Sequence, residues 1–326
     1  MRYTRRELGK MALAAIPLVK LLETDLWAAI NSKINGVQIG AITYSFRTMS
    51  NPEDIIKAMA LIGLSEVELM SGDAEKLAGI PALPSFRGAG AGGARGGGGG
   101  RGTPLTPEQQ AETDAAQAAQ RQWRMSRTAD SFKIARKKFN DAGIDVRLLT
   151  YNMNVNTTKD DEIEYAFTMA EGLGVRAITT STQVSMAKRV APFAAKHKLH
   201  VGFHGHDQVE RPDEVASEAT FKEVLAAGEY LCANLDIGHY TAANGDPVAF
   251  IKQYHDRITN LHLKDRKKNH GDNVPWGQGD TPIKEVLQLL KTTKWDLPAN
   301  IEYEYMGTDA TLEVAKCFEF CKQALA

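Results

Sequence analysis

The feature that most constrains the fold is an alternation of short apolar runs with longer amphipathic segments, which begins near residue 37 and continues to the end of the chain. Eight of the apolar runs have the length and composition of strands, and each is preceded or followed by a helical pattern. The predicted strands are residues 37–44, 65–70, 145–152, 175–181, 199–206, 231–239, 258–265 and 299–305.

Eight strand–helix units in one stretch of chain predict an α/β fold, a parallel (β/α)8 TIM barrel, rather than an open sheet. A doubly wound sheet that binds a nucleotide needs a glycine-rich turn after its first strand. The segment ITYSFRTMS, which stands at that place here, contains no glycine. We therefore expect a single barrel domain over residues 36–326.

The first 35 residues differ from the rest of the chain. Arg5 and Arg6 precede a short apolar segment over residues 11–19, which is too short to span a bilayer. This arrangement resembles a twin-arginine export signal and predicts export to the periplasm, with residues 1–35 as signal and linker. The alternative is a basic amphipathic first helix of a cytoplasmic protein. Neither reading predicts stable membrane insertion.

A second segment, residues 86–104, interrupts the alternation after the second predicted strand. Its sequence, FRGAGAGGARGGGGGRGTP, is low in complexity and has no means of building a core. We expect a flexible glycine-rich insertion on the side of the barrel where loops build active sites. It is either a mobile lid or a solvated insertion without function.

Polar and ionisable residues gather at the carboxyl ends of the predicted strands, which converge on one mouth in a parallel barrel. Alternation along a strand places residues two apart, such as His204 and His206, on the same face. These strand-end residues are Glu68, Tyr151, Asn152, His204, His206, Asp236, His239, His262, Lys264, Asp265, Glu302 and Glu304. Burying so many ionisable groups together is costly unless they pair or bind something.

Four successive strands end in histidine, aspartate, histidine and glutamate, which predicts a metal site. A mixed set of nitrogen and oxygen ligands suits Mn²⁺, Zn²⁺, Co²⁺ or Fe²⁺. The formal net charge of −1 gives no basic field for nucleic acid, so we expect a small-molecule partner and no nucleic acid.

The motifs LDIGHY, LHLKDRKK, VPWGQGD and ANIEYEY, in this order, resemble those of the xylose-isomerase-like TIM-barrel superfamily, the sugar phosphate isomerase/epimerase group. The resemblance implies one divalent metal ion, most often Mn²⁺, held by Glu, Asp, His and Glu from strands five to eight. Asp236, His262 and Glu302 match the last three of these ligands. His204, in GFHGHD, stands where the family has its first glutamate, and His206 is the alternative ligand.

This departure changes the expected proton transfer, because the family's glutamates at these two places also move the proton. A metal-bound imidazole nitrogen cannot accept a proton, so we expect His206 or Glu304 to act as the base. Lys264 is expected to stabilise negative charge on the substrate. Glu302 is favoured over Glu304 as the ligand by the resemblance alone.

The resulting hypothesis is a divalent-metal-dependent sugar isomerase or epimerase that abstracts a proton next to a carbonyl and forms a metal-stabilised enediolate. Loss of a β-substituent from the same enediolate would make the protein a lyase acting on 3-keto-glycosides. A non-catalytic sugar-binding barrel is a further alternative, and assembly into a homo-oligomer stays open.

Substrate contacts are expected from several other residues at the mouth. Tyr151 and Asn152 can position hydroxyl groups, and Trp276 can stack on a sugar ring or pack its own loop. His239 can contact substrate or orient Asp236. Glu68 and Asp265 complete the predicted substrate-binding set.

Overall fold

The computed structural model describes residues 30–86 and 104–326, and within these ranges nine strands form one sheet. The strands are β1 Lys33–Ile34, β2 Val37–Ile42, β3 Glu66–Met70, β4 Asp145–Thr150, β5 Ala177–Thr180, β6 His200–His204, β7 Leu231–Asp236, β8 Ile258–Leu263 and β9 Ala299–Ile301. Strands β2 to β9 are parallel, and β9 pairs with β2, which closes the predicted eight-stranded barrel. The short β1 pairs antiparallel with β2.

Eleven α-helices of the described ranges surround the strands. They are α1 Pro52–Ile62, α2 Ser71–Leu77, α3 Pro107–Met125, α4 Lys133–Asp141, α5 Asp160–Leu173, α6 Ala187–His197, α7 Glu218–Ala226, α8 Ile237–Ala242, α9 Pro247–Tyr254, α10 Ile283–Thr293 and α11 Ala310–Leu325. Helix α10 shows why they pack on the sheet. Its buried residues Ile283, Val286, Leu287 and Leu290 are spaced three and four apart, so they form one apolar stripe.

The first of these helices has a defined cap at each end. The side chain of Asn51 accepts the backbone N–H of Glu53, and Pro52 occupies the first helical position, where no N–H is needed. Helix α1 ends at Gly63, whose φ of 91° lies in the left-handed region that favours glycine.

The interior of the barrel is polar at its centre, and two glycines make room for this. A Cβ atom on Gly40 would lie 2.5 Å from Oδ1 of Asn300, and one on Gly202 would lie 2.2 Å from Oγ1 of Thr259. Glycine at both positions therefore lets larger polar side chains from other strands fill the interior.

Most predicted strands end earlier than the sequence indicates. The predicted strand over residues 231–239 stops at Asp236, because the Asp236 carboxylate accepts the backbone N–H of His239 at 2.7 Å and begins α8. The last predicted strand, residues 299–305, stops at Ile301. The shorter strands leave the polar residues that follow them in the loops above the barrel mouth.

The barrel also begins before residue 36, the predicted domain boundary. Ser32 is buried, and its backbone N–H donates to Oγ of Ser65 at 2.9 Å. The end of the predicted linker is thus part of the fold. The predicted export signal and the predicted glycine-rich insertion fall mainly on residues 1–29 and 87–103, which lie outside the described residues. In the parts that the structure describes, no helix combines the length and apolar character needed to cross a membrane.

A buried carboxyl at the amino end of β3 makes the barrel sensitive to pH. Burial raises the pKa of Glu66 to about 7, although Arg147 lies 3.3 Å away and opposes this shift. A carboxyl whose pKa is higher in the folded than in the unfolded chain stabilises the fold fully below the unfolded value of 4.5. That stabilisation is lost as the pH rises through about 7.

We predict that Glu66→Gln removes this loss. Relative to the wild type, the variant should gain on the order of 2–3 kcal/mol of unfolding free energy between pH 4.5 and pH 8. Urea unfolding of both proteins at several pH values measures the difference. A stability difference between the two proteins that does not change with pH would contradict a raised pKa of Glu66.

Candidate metal centre and active site

Four metal-ligand side chains meet at the carboxyl ends of neighbouring strands. His204 ends β6, Asp236 ends β7, His262 is the fifth residue of β8, and Glu302 directly follows β9. One donor atom from each lies within 4.8 Å of the donor atoms of the other three, and all four side chains are buried. We call these residues the four-residue group; it coincides with the predicted ligand set.

The contacts of His204 fit a metal ion bound by the four-residue group. Neither of its ring nitrogens has a hydrogen-bond partner within residues 30–86 and 104–326, although the side chain is buried. Its Nε2 lies 3.6 Å from Asp236 Oδ2 and 3.8 Å from Glu302 Oε2, beyond hydrogen-bond distance. An ion bound between these atoms would satisfy the imidazole and offset the cost of burying it.

His262 lies between two carboxylates. Its Nε2 is 2.7 Å from Glu68 Oε2, and its Nδ1 is 2.9 Å from Glu302 Oε2. Burial opposes a charge on His262, but Glu68 and Glu302 outweigh burial and raise its pKa well above the ordinary value. Because Nε2 is held by Glu68, Nδ1 is the nitrogen that faces the four-residue group.

Glu68 has a different place from the one that the sequence predicts. It is fully buried below the four-residue group, inside the barrel, and is not a lining residue of the cavity at the mouth. Besides His262, it accepts hydrogen bonds from Asn260 Nδ2 at 2.8 Å, Asn300 Nδ2 at 2.9 Å and Thr179 Oγ1 at 2.6 Å. The predicted substrate contact is therefore corrected: Glu68 orients His262 from behind.

Lys264 is a buried ammonium beside the four-residue group. Its Nζ lies 3.0 Å from both Asp236 Oδ2 and Glu302 Oε2, and 2.6 Å from Glu304 Oε2. Burial would lower the pKa of Lys264, but the three carboxylates raise it above the ordinary value, so the side chain stays charged. Lys264 in turn keeps the pKa values of Asp236 and Glu302 low against the effect of burial. The three carboxylates outnumber the Lys264 ammonium and leave a net negative charge, which favours a bound cation.

His206 is oriented by a carboxylate that the sequence analysis missed. Its Nδ1 lies 2.6 Å from Glu214 Oε1, and its Nε2 lies 3.2 Å from Ser181 Oγ. Glu214 is in the loop after β6, where no periodicity marks it. Ser181, at the end of the predicted strand over residues 175–181, could have been found by the strand-end argument that identified the histidines.

His239 also lines the mouth. Burial and the nearby Lys264 ammonium lower its pKa to about 4, so the ring is neutral at pH 7. Its Nε2 lies 3.0 Å from Lys264 Nζ, and its Nδ1 lies 2.6 Å from Arg266 Nη1. Its backbone N–H holds Asp236 Oδ1, which is the orienting contact that the sequence analysis offered as one of its two roles.

These residues surround a cavity of about 670 Å³, which we call the central cavity. Its lining includes His204, His206, His239, His262, Lys264, Glu302 and Glu304, together with Asn152. The volume lies within the range of about 300–1,000 Å³ that is usual for small-ligand sites. The four-residue group, His206 and Lys264 thus face the same cavity.

Four predicted substrate contacts lie outside the central cavity: Glu68, described above, and Asp265, Trp276 and Tyr151. Asp265 turns into the loop after β8, where its Oδ2 accepts the backbone N–H groups of Gly277 and Gly279 at 2.8 and 2.9 Å. Trp276 belongs to the same loop and packs edge-on against Phe320, with ring centroids 5.8 Å apart. Both residues shape the loop, because β8 ends at Leu263 and strand alternation no longer directs side chains beyond it.

Tyr151 and Asn152 also lie beyond their strand, because β4 ends at Thr150, and only one of them reaches the central cavity. Asn152 lines the central cavity, and its Oδ1 accepts the backbone N–H of Ser181 at 2.9 Å. Tyr151 packs against Tyr165, with ring centroids 6.1 Å apart, and lines a neighbouring cavity instead.

Comparisons with known proteins agree with the barrel. Residues 136–323 match the family model described as xylose isomerase-like TIM barrel. The fold is similar to that of a probable 3-DHS dehydratase, AsbF, from Bacillus anthracis, with a TM-score of 0.59 and 16% identity over 87% of this chain and 98% of the other. A comparison with curated protein sequences gives no match.

Two further solved structures show the same fold. A sugar phosphate isomerase/epimerase from Parabacteroides distasonis has a TM-score of 0.56 and 16% identity, over 87% of this chain and 93% of the other. The IolI protein, whose structure holds a zinc atom, has a TM-score of 0.60 and 12% identity, over 89% of this chain and 98% of the other. At these identities the similarity establishes the fold.

We predict that Glu68→Gln weakens metal binding by about 10- to 100-fold, because the amide is a poorer acceptor for His262 Nε2 and no longer fixes the ring. Titration of the metal-free protein with Mn²⁺ by calorimetry measures the affinity. Glu66→Gln, two residues earlier on β3, is the matched control and should leave the affinity unchanged. Equal affinities in the Glu68→Gln variant and the wild type would refute the orienting role.

Proposed function

The chain belongs to the xylose isomerase-like TIM barrel family, and from this premise we propose that it is a divalent-metal-dependent sugar isomerase or epimerase, which removes a proton from the carbon next to a carbonyl. One observation carries the proposal. The four-residue group and the His206–Glu214 pair border the same cavity, so a ligand held at the group would lie beside an oriented base.

His206 is the residue best arranged to take the proton. When Nδ1–H donates to Glu214, the lone pair of Nε2 is available on the other side of the ring. Proton abstraction then breaks a C–H bond of the substrate, and its electron pair forms the C=C bond of an enediolate. The proton stays on Nε2, and the Glu214 carboxylate stabilises the imidazolium.

Lys264 and Glu304 are placed to act on the enediolate, the first on its oxygen and the second on the returning proton. The Lys264 ammonium donates to Glu304 and is near enough to the cavity to stabilise negative charge on a substrate oxygen. Return of a proton to the neighbouring carbon gives isomerisation, and return to the opposite face of the same carbon gives epimerisation. Glu304, which lines the same cavity, is the second group that can carry this proton.

A divalent ion held by His204, Asp236, His262 and Glu302 would polarise the substrate carbonyl. We propose Mn²⁺ as this ion, with Zn²⁺, Co²⁺ and Fe²⁺ as alternatives that the same ligands accept. The zinc atom of IolI supports a metal in a barrel of this kind. The sugar phosphate isomerase/epimerase relative supports the reaction class.

A second candidate, a lyase that acts on 3-keto-glycosides, is favoured by the space beside the central cavity. A neighbouring cavity of about 410 Å³ shares three lining residues with it, which gives room for a substituent beyond the reacting ring. The similar barrel described as a probable 3-DHS dehydratase supports an elimination reaction in a fold of this kind. The first step is the same in both candidates, and only the fate of the enediolate differs.

Deuterium exchange tests the proposal directly. The protein, loaded with Mn²⁺, is incubated in D₂O with glucose, fructose or a 3-keto-glucoside, and products are followed by NMR and mass spectrometry. We expect deuterium in a recovered sugar with an intact skeleton, and loss of exchange after chelation. Release of the aglycone would favour the lyase. Binding without any exchange would contradict both enzymes and favour a sugar-binding barrel.

We predict that His206→Gln and Glu214→Gln lower the exchange rate, the first by about 100-fold or more, because a positioned general base typically contributes that much. Metal affinity should stay within about twofold, since neither residue belongs to the four-residue group. His200→Gln is the matched control, because His200 lies at the start of β6 and His206 lies just beyond the end of that strand. Wild-type exchange in the His206→Gln variant would assign the base elsewhere.

A further inference from the structure

We propose that the neighbouring cavity, which we call the side cavity, binds a second ring of the substrate, either a sugar or a ring-shaped aglycone. The inference rests on the proposed function, because it assumes that the first ring occupies the central cavity. It goes further in naming the substrate class: a glycoside with two rings rather than a free monosaccharide.

The side cavity continues directly from the central one. Its volume is about 410 Å³, and it lies between the turn after β2, the start of α2 and the loop after β4. Tyr44, Met70 and Asn152 line both cavities. A ligand that extends from the central cavity towards the side cavity would therefore pass these three residues.

The lining suits a neutral ring with hydroxyl groups. Tyr44 and Tyr151 both line the side cavity. The guanidinium carbon of Arg47 lies over the Tyr44 ring, 5.1 Å from the ring centroid. Aromatic faces pack well against the C–H faces of sugars and against planar aglycones. The hydroxyl groups of Thr157 and Thr158 add donors and acceptors for a polar ring.

The cations of this lining already have partners within the fold, since Arg124 pairs with Glu75 and Arg47 donates to the backbone carbonyl of Tyr303, which argues against a phosphate or carboxylate ligand. Arg124 forms two hydrogen bonds with the Glu75 carboxylate, at 2.7 and 3.0 Å. Asp73 accepts the hydroxyl of Thr43 at 2.8 Å. An anionic substituent would have to compete with Glu75 for Arg124, whereas a neutral ring would leave the ion pair intact.

Gly72 offers a way to close the side cavity without touching the central one. It is the second residue of α2 and lines only the side cavity. A Cβ atom added there meets nothing within 4 Å, and its φ is not in the left-handed region. We therefore expect Gly72→Phe to fold normally and to place a bulky ring at the exposed rim of the side cavity, and Gly72→Ala, which adds one methyl group, is the matched control.

The test compares one-ring and two-ring probes by calorimetry on the Mn²⁺-loaded protein. We expect the wild type to bind cellobiose about tenfold more tightly than methyl β-D-glucoside. In Gly72→Phe this preference should disappear, while the affinity for the methyl glucoside stays within about twofold. Gly72→Ala should behave as the wild type does.

Three results would overturn the side-cavity proposal: no two-ring preference in the wild type, an unchanged preference in Gly72→Phe, or binding of neither probe. Deuterium exchange of the same protein preparations with fructose or a 3-keto-glucoside, which carry the required carbonyl, separates this outcome from failure of the proposed function. A two-ring preference without exchange on any sugar would refute the enzyme and keep the binding site. Exchange without a two-ring preference would support the enzyme and refute the second-ring site.

Discussion

The buried carboxylate of Glu68 is the constraint on which the centre of this barrel depends. It is fully enclosed, and burial alone would raise its pKa, yet the contact with His262 and the surrounding donors lower that pKa. The asparagines of β8 and β9 and the hydroxyl of Thr179 are therefore needed where they are, since a buried charge without partners is costly. In return, Glu68 fixes one nitrogen of His262 and leaves the other to face the mouth.

The period of two along each strand stacks the site in levels. On β8, Asn260 contacts Glu68 and His262 belongs to the four-residue group, while Lys264, just after the strand, reaches Glu304 at the mouth. Asn300 on β9, and Glu302 and Glu304 after it, repeat the same order. A supporting level, the level of the four-residue group and a level at the mouth of the central cavity thus follow from three residues, each two apart in the sequence.

The same periodicity explains how much could be predicted from the sequence. The barrel and the cluster of ionisable residues at its mouth follow from strand alternation and from the convergence of strand ends. The choice of Glu302 over Glu304 as a ligand came from the resemblance, and the residues alone left His204 and His206 open. Asp265 was expected at the mouth because a strand pattern was extended into a loop, where its carboxylate accepts backbone N–H groups instead. Trp276 packs its own loop, which was one of the two roles offered for it. Glu68 was misplaced because its level inside the barrel depends on register, and β4 carries an extra residue opposite Val67 and Glu68. Glu214 lies in a loop that only the folded chain brings to His206.

Anomalous diffraction from crystals soaked with Mn²⁺ tests the central claim most directly, because it locates the ion without reference to activity. We predict one strong peak in contact with His204, Asp236, His262 and Glu302, with His262 coordinated through Nδ1 while Nε2 stays on Glu68. A peak at another place, or coordination of His262 through Nε2, would contradict the orienting role of Glu68 and the metal centre built on it.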